Sequence, residues 1–141
     1  MLFRSNGAMR ADSWSRIPLI RMMNISLEPG TWDEQELLDE SDGAILCDIN
    51  KSWSIDDRRL NFQFATEYAR EIKNGRLGRL LKNPIYQGMG PEFWSNLEAL
   101  DRNGVHWGIP NCGKGQPMQT AHVGHSAPAG RFRKVTVGCA K

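Results

Sequence analysis

The sequence predicts an α+β fold: a predominantly antiparallel β-sheet that could close barrel-like, with two short helices. Three observations carry this. Leu60, Phe62 and Phe64 alternate with Asn61 and Gln63, the period of two that leaves one face of a strand wet. Asn74-Gly75 stands between Glu71-Ile72-Lys73 and Arg76-Leu77, the residue pair preferred for a type I′ hairpin turn. Helix-start signals occur in only two places, around Thr31 and at Pro91, so locally connected strands dominate the element count.

Taken in order, Arg21 to Leu27 reads as a strand ended by the turn signal Glu28-Pro29-Gly30. Thr31 and Glu34 have the spacing of a capping box, with Leu37 and Leu38 available to bury before Asp42-Gly43 ends a short helix. A buried strand follows from Ala44 to Ile49, in which Cys47 is a small buried apolar residue. Asp56-Asp57 beside Arg58-Arg59 is a solvated or salt-bridged turn rather than a carboxylate pair for catalysis. Tyr68 and Ile72 fit helical spacing as well, and the Asn74-Gly75 pair decides this stretch for a hairpin. Pro91 at a first helical position, then Phe93, Trp94, Leu97 and Leu100, predicts an amphipathic helix of about ten residues. Gly104 opens another extended stretch, Asn111 to Pro117 is a glycine-rich loop, and Gln119 to His125 and Phe132 to Val137 are final strands separated by Ala127-Pro128-Ala129-Gly130. Trp53, Trp94 and Trp107 are core or interface aromatics.

With 141 residues, 40% hydrophobic and 24% charged, the chain can bury one core, which predicts one compact unit over residues 10–141 after an N-terminal tail, residues 1–9. A net charge of +2 from 18 basic and 16 acidic residues makes no field that would concentrate nucleic acid, and the alternating Arg131-Phe132-Arg133-Lys134 reads as a half-exposed strand. Apolar runs fall far short of the roughly 20 residues that span a bilayer, and Met1 to Asn6 lacks a signal-peptide apolar region. These readings point to a cytoplasmic protein with neither a membrane nor a nucleic acid as partner. Three cysteines, an odd count at wide spacing, fit a reducing compartment.

Chemistry concentrates near the end of the chain. Asn111-Cys112-Gly113-Lys114-Gly115-Gln116-Pro117 and then His122-Val123-Gly124-His125 place a thiol, a lysine and two imidazoles close together. Of the three thiols, Cys112 is expected to be the most exposed and the first to react. His122 and His125 are three apart, so on a strand they point to opposite faces and do not readily chelate one ion together.

Seven blocks match a known family in order: Arg10-Ala11-x-Ser13-Trp14, Pro18-x-x-Arg21-Met22-x-Asn24-x-x-Leu27-Glu28-Pro29-Gly30, Ser52 to Phe62, Ile72-Lys73-Asn74-Gly75, Pro91-Glu92-Phe93-Trp94, Asn111 to Pro117, and His122-Val123-Gly124-His125. On these the chain resembles the C-terminal domain of TldD/PmbA-type proteins over about residues 10 to 138, nearly its whole length. The resemblance implies a zinc metallopeptidase acting on unfolded proteins or peptides, built as a dimer of like or paralogous subunits, in a family also described as modulators of DNA gyrase. It further implies that zinc is held by two histidines of a His-Glu-x-x-x-His helix in a preceding part, with the glutamate as base, and by a cysteine at the position of Cys112. Read from the residues themselves, Lys114 and Gln116 could contact a bound peptide's backbone; at least one of His122 and His125 is structural, and the functional alternative is that they orient Cys112 or the attacking water.

The chain departs from the family in two respects, of which Met23, where the family usually has a small hydroxyl residue, is the minor one. Its histidines are His106, His122 and His125, and none begins a His-Glu-x-x-x-His motif. No catalytic residue is therefore expected in this chain, and zinc is expected only with an upstream segment or a second subunit that supplies the histidines. Two functions of different class follow: a metallopeptidase portion that is inactive alone, or a non-catalytic structural or dimerisation module derived from that family.

Overall fold

The computed structural model describes residues 8–139. In chain order the elements are β1 (Met9–Arg10), β2 (Leu19–Ile20), β3 (Ile25–Ser26), α1 (Glu34–Asp39), β4 (Ile45–Ile55), β5 (Asn61–Lys73), β6 (Arg76–Lys82), β7 (Pro84–Met89), α2 (Gly90–Ser95), β8 (Leu97–Lys114), β9 (Gln119–Phe132) and β10 (Thr136–Cys139). Strands predominate and both helices have six residues, as the period-two pattern and the two helix-start signals predict. The chain divides into two compact units, one of residues 1–29 with 104–128 and one of residues 30–103 with 129–141. Of the expected tail, residues 1–7 lie outside the described residues, and Met9 already pairs with Ile20.

The second unit is built on β5. Its one edge pairs antiparallel with β4, from Ile45 opposite Glu71 to Ile55 opposite Phe62. Its other edge pairs first with β7, Asn61 opposite Met89, and then with β6, Lys73 opposite Arg76. β10 adds to β7, so the strand order β10-β7-β5-β4 is open at both ends and does not close into a barrel. The hairpin forms where the sequence places it: Asn74 (φ 50°) and Gly75 (φ 67°) both adopt positive φ, which a type I′ turn requires at its two central residues. Asp56 closes the β4 to β5 turn, its carboxylate accepting from Leu60 N (2.8 Å), Asn61 N (3.1 Å) and Asn61 Nδ2 (2.6 Å).

Several boundaries differ from the expectation, each for a tertiary reason. The capping box forms two residues late: Asp33 Oδ1 accepts from Glu36 N (2.9 Å) and Asp33 N donates to Glu36 Oε2 (2.7 Å). Thr31 and Glu34 do not cap, because Gly30 N donates to Asp101 O (2.8 Å), Trp32 N donates to Leu100 O (3.3 Å), and Trp32 forms a parallel bridge with Asp101. That pairing ties residues 30 and 32 to the 100–101 backbone, so the helix cannot start there. Gly30 is required there, since a Cβ would meet the Leu100 carbonyl oxygen far inside contact distance and Leu100 Cβ at 2.8 Å.

α2 ends at Asn96, whose N–H bonds back to Glu92 O, and Leu97 and Leu100 belong to β8 rather than to a longer helix. The expected strand from Arg21 to Leu27 reduces to β3, Ile25–Ser26, because residues 21–24 are irregular. Arg21 N is drawn to Ala8 O (3.1 Å) and Asn24 Oδ1 to Gly124 N (2.9 Å). Extended chain begins at Leu97, before Gly104, and β9 runs unbroken through Ala127 to Gly130. β4 continues to Ile55 and is largely exposed, not buried, while Cys47 is half-buried.

The core is thin. Leu37, Ala69, Ile72 and Ala99 are buried in the second unit and Val123 in the first, and no large side chain falls below 2% exposure among the described residues. Aromatic rings extend the second unit's core: Phe93 stacks on Phe132 with centroids 4.0 Å apart and meets Phe62 edge-on at 5.1 Å. Of the tryptophans expected in a core or an interface, none is buried: Trp53 is 67%, Trp94 55% and Trp107 44% exposed.

Candidate functional site

The first unit gathers its chemistry where β8 ends. Cys112 and Lys114 are two apart on β8 and so share a face. They are not in a loop, as the glycines suggested; strand pairing persists through Lys114, and only residues 115–118 turn toward β9. That connection is too short for a crossover, so β8 and β9 are neighbours in an antiparallel sense, with β3 on the far side of β9 in parallel register, Ile25 opposite His125. β1 pairs antiparallel with β2, Arg10 opposite Leu19. Arg21 follows β2 directly, its N–H donating to Ala8 O (3.1 Å).

Together these residues line a small cleft, with room for about one water, bounded by Arg10, Arg21, Cys112, Lys114, Gln119 and Asp12 among others. Cys112 is held at two points. Arg21 Nη2 donates to its Sγ (3.3 Å) and Arg10 Nη2 approaches its carbonyl oxygen (3.5 Å). Lys114 Nζ donates to the Ile20 carbonyl. Buried Gln119 clamps the segment between β1 and β2, its Oε1 accepting from Asp12 N (3.1 Å) and its Nε2 donating to Ile17 O (2.9 Å). The cation against the sulfur is therefore Arg21.

Cys112 is half-buried, whereas Cys139 is exposed, so Cys112 is not the most open thiol as expected; its strand setting and the two arginines cover it. Burial pushes the Cys47 thiol up, offset in part by a hydrogen bond with Thr66. Of the other residues singled out in the sequence, Lys114 lines the cleft, while Gln116, His122 and His125 do not. Gln116 is exposed in the 115–118 turn and His122 is exposed on β9. His125 Nδ1 accepts from Ile25 N (3.1 Å), and its ring meets Trp107 at 6.3 Å. Arg10, Arg21 and Gln119 were not singled out as functional; the signal available for the two arginines was their place inside the first two family-like blocks.

A structural or catalytic zinc site takes three or four protein donors. Among the described residues no three of His, Cys, Asp and Glu come together to hold a metal, and the cleft offers one thiol. These residues do not form a zinc site by themselves.

Relatives place the chain. It is 26% identical over 136 residues, 96% of this chain, to the metalloprotease TldD homolog of Buchnera aphidicola subsp. Schizaphis graminum. It is 28% identical over 105 residues (74% of the chain) to a metalloprotease of Methanocaldococcus jannaschii, and 26% identical over 121 residues (86%) to one of Methanothermobacter thermautotrophicus. It spans only 28%, 23% and 26% of those proteins, respectively. The family model of the PmbA/TldA metallopeptidase C-terminal domain matches residues 2–139; with the β-rich fold and the Cys112 cleft, this chain belongs to that family.

Proposed function

We propose that this chain is the thiol-bearing portion of a zinc metallopeptidase of the TldD/PmbA type that acts on unfolded proteins or peptides in the cytoplasm. In this reading Cys112 is one zinc ligand, and the chain hydrolyses nothing until histidines and a base reach it from another segment or subunit. The observation that carries it is the placement of Cys112: a strand-borne sulfur, oriented by Arg21, opening on a cleft where Asp12 is the other group of a kind zinc takes and where, among the described residues, no three such donors come together. Zinc, once bound, supplies Lewis acidity for attack of water on a peptide carbonyl. The chain's own residues orient the sulfur through Arg21, fix its backbone through Arg10, and offer Lys114, with Gln116 in the adjoining turn, to a peptide. His125 contributes by fixing β3 through Ile25 N.

Metal content tests this. The chain is mixed with a polypeptide carrying the His-Glu-x-x-x-His helix, and zinc in the complex is measured for wild type, Cys112→Ser and Cys47→Ser. Wild type and Cys47→Ser retain zinc and Cys112→Ser loses most of it, as expected for removing one of three protein ligands. Equal zinc in all three shows that Cys112 is not a ligand. By itself the chain is expected to leave casein intact; chelator-sensitive cleavage by the purified chain refutes the proposed dependence on a partner.

A second reading, a non-catalytic docking or dimerisation module, draws on the exposed apolar residues of the first unit. Trp14 is 99%, Ile17 71% and Ile20 76% exposed, apolar groups that a docked partner would take out of water. The equal-zinc outcome favours it.

A further inference from the structure

We infer that Arg10, Arg21 and Lys114 form a subsite for a carboxylate group of a bound peptide. Three cationic side chains converge on the cleft at Cys112. Among the described residues none of them has a carboxylate within ion-pairing distance, whereas Asp12, the acidic residue at the same cleft, faces Arg16 at 3.8 Å. Their hydrogen-bond partners are neutral acceptors or a sulfur: the Cys112 carbonyl for Arg10, Cys112 Sγ for Arg21 and the Ile20 carbonyl for Lys114.

Arg10 is the most telling of the three. Its Nε is buried without any hydrogen-bond partner, and a desolvated guanidinium nitrogen left unpaired is costly. A planar carboxylate satisfies such a fork with two parallel hydrogen bonds and compensates the charge. The cations are held before any ligand arrives: Arg10 by its pairing opposite Leu19, Arg21 by its N–H to Ala8 O and its bond to Cys112 Sγ, and Lys114 by its place two residues from Cys112 on β8. That preorganisation favours binding, because little side-chain freedom remains to be lost.

The inference rests on the proposed reading only in taking the ligand to be a peptide. The carboxylate could be a chain terminus or an acidic side chain, and the two are separable. Three N-acetylated peptides of one apolar sequence serve as probes: one with a free C-terminal carboxylate, one amidated with an internal glutamate, and one amidated and uncharged. Each is titrated calorimetrically into the purified 141-residue chain without zinc, at low salt.

At least one carboxylate peptide is expected to bind about tenfold more tightly than the uncharged one, the scale of a charge-assisted hydrogen bond. Which of the two it is identifies the source. Arg10→Gln and Lys114→Gln should each reduce the preference severalfold, and raising the salt should weaken it for wild type. Equal affinity for all three peptides, no measurable binding of any, or a preference that persists in both variants overturns the inference. Lys114→Gln, at a partly exposed strand position, keeps the test open if Arg10→Gln does not fold. Zinc recruitment by Cys112 is read separately, so loss of the carboxylate preference with intact recruitment sinks this inference alone.

Discussion

Replacing Gly30 by alanine should be among the most damaging single-methyl additions to this chain. The Cβ of an alanine at this position would stand 2.8 Å from Leu100 Cβ and 2.9 Å from the Leu100 carbonyl carbon, and closer still to its oxygen. Backbone, not a flexible side chain, is what it meets. The segment must therefore retreat from Leu100, which weakens two hydrogen bonds at once, Gly30 N to Asp101 O at 2.8 Å and Trp32 N to Leu100 O at 3.3 Å. Overpacking costs about 1–3 kcal/mol and each weakened hydrogen bond about 1 kcal/mol, so Gly30→Ala is expected to destabilise by roughly 3 kcal/mol. In urea that lowers the unfolding midpoint by about 1–3 M, given m-values of about 1–3 kcal/mol/M. Far-UV circular dichroism reads the transition. Gly108→Ala is the control, since nothing lies within 4 Å of a Cβ there, and it should change stability by less than about 0.5 kcal/mol. A Gly30→Ala midpoint indistinguishable from that of Gly108→Ala refutes the close approach and, with it, the reason for the late helix start.

Three further outcomes are expected. Asp33→Ala should cost about 1 kcal/mol by removing the N-cap of α1, and Asp33→Asn much less; equal losses in a urea melt would show that the cap hydrogen bond is not what stabilises the helix. Stability should fall as pH rises above about 8.5, the ordinary range of a thiol. Burial holds the Cys47 thiol up and does the same to the Tyr86 hydroxyl, with the nearby Cys47 adding to it, so the folded chain keeps protons that the unfolded chain releases. Cys47→Ala should flatten the first part of that decline, and an unchanged slope would count against the burial of Cys47 as its cause. Sedimentation at tens of micromolar should show species heavier than a monomer, because Trp14, Ile17, Ile20 and Met118 stand largely exposed; a single monomeric boundary would contradict this.

Local signals were legible wherever the backbone itself imposes a rule. Asn74-Gly75 demanded positive φ at two successive residues and produced the β5 to β6 hairpin. Phe62 and Phe64 alternated as one face of β5 and joined the aromatic cluster. The Asn-Cys-Gly-Lys block pointed to Cys112, which lines the cleft with Arg10 and Arg21. What lay beyond reach depends on partners distant in sequence. Helix α1 starts at Glu34 because residues 30 and 32 are bonded to residues 100 and 101, and no window around Thr31 contains that information. Leu97 and Leu100 have helical spacing from Phe93, yet pairing within β8 takes them. The same holds for the cleft. Arg21 lies 91 residues from the sulfur it touches and Arg10 lies 102 residues from the carbonyl it approaches. A short-range pattern reports which conformation a segment prefers; only the folded chain brings two arginines, a lysine and a thiol to one face, because strand pairing sets neighbours by register rather than by sequence distance.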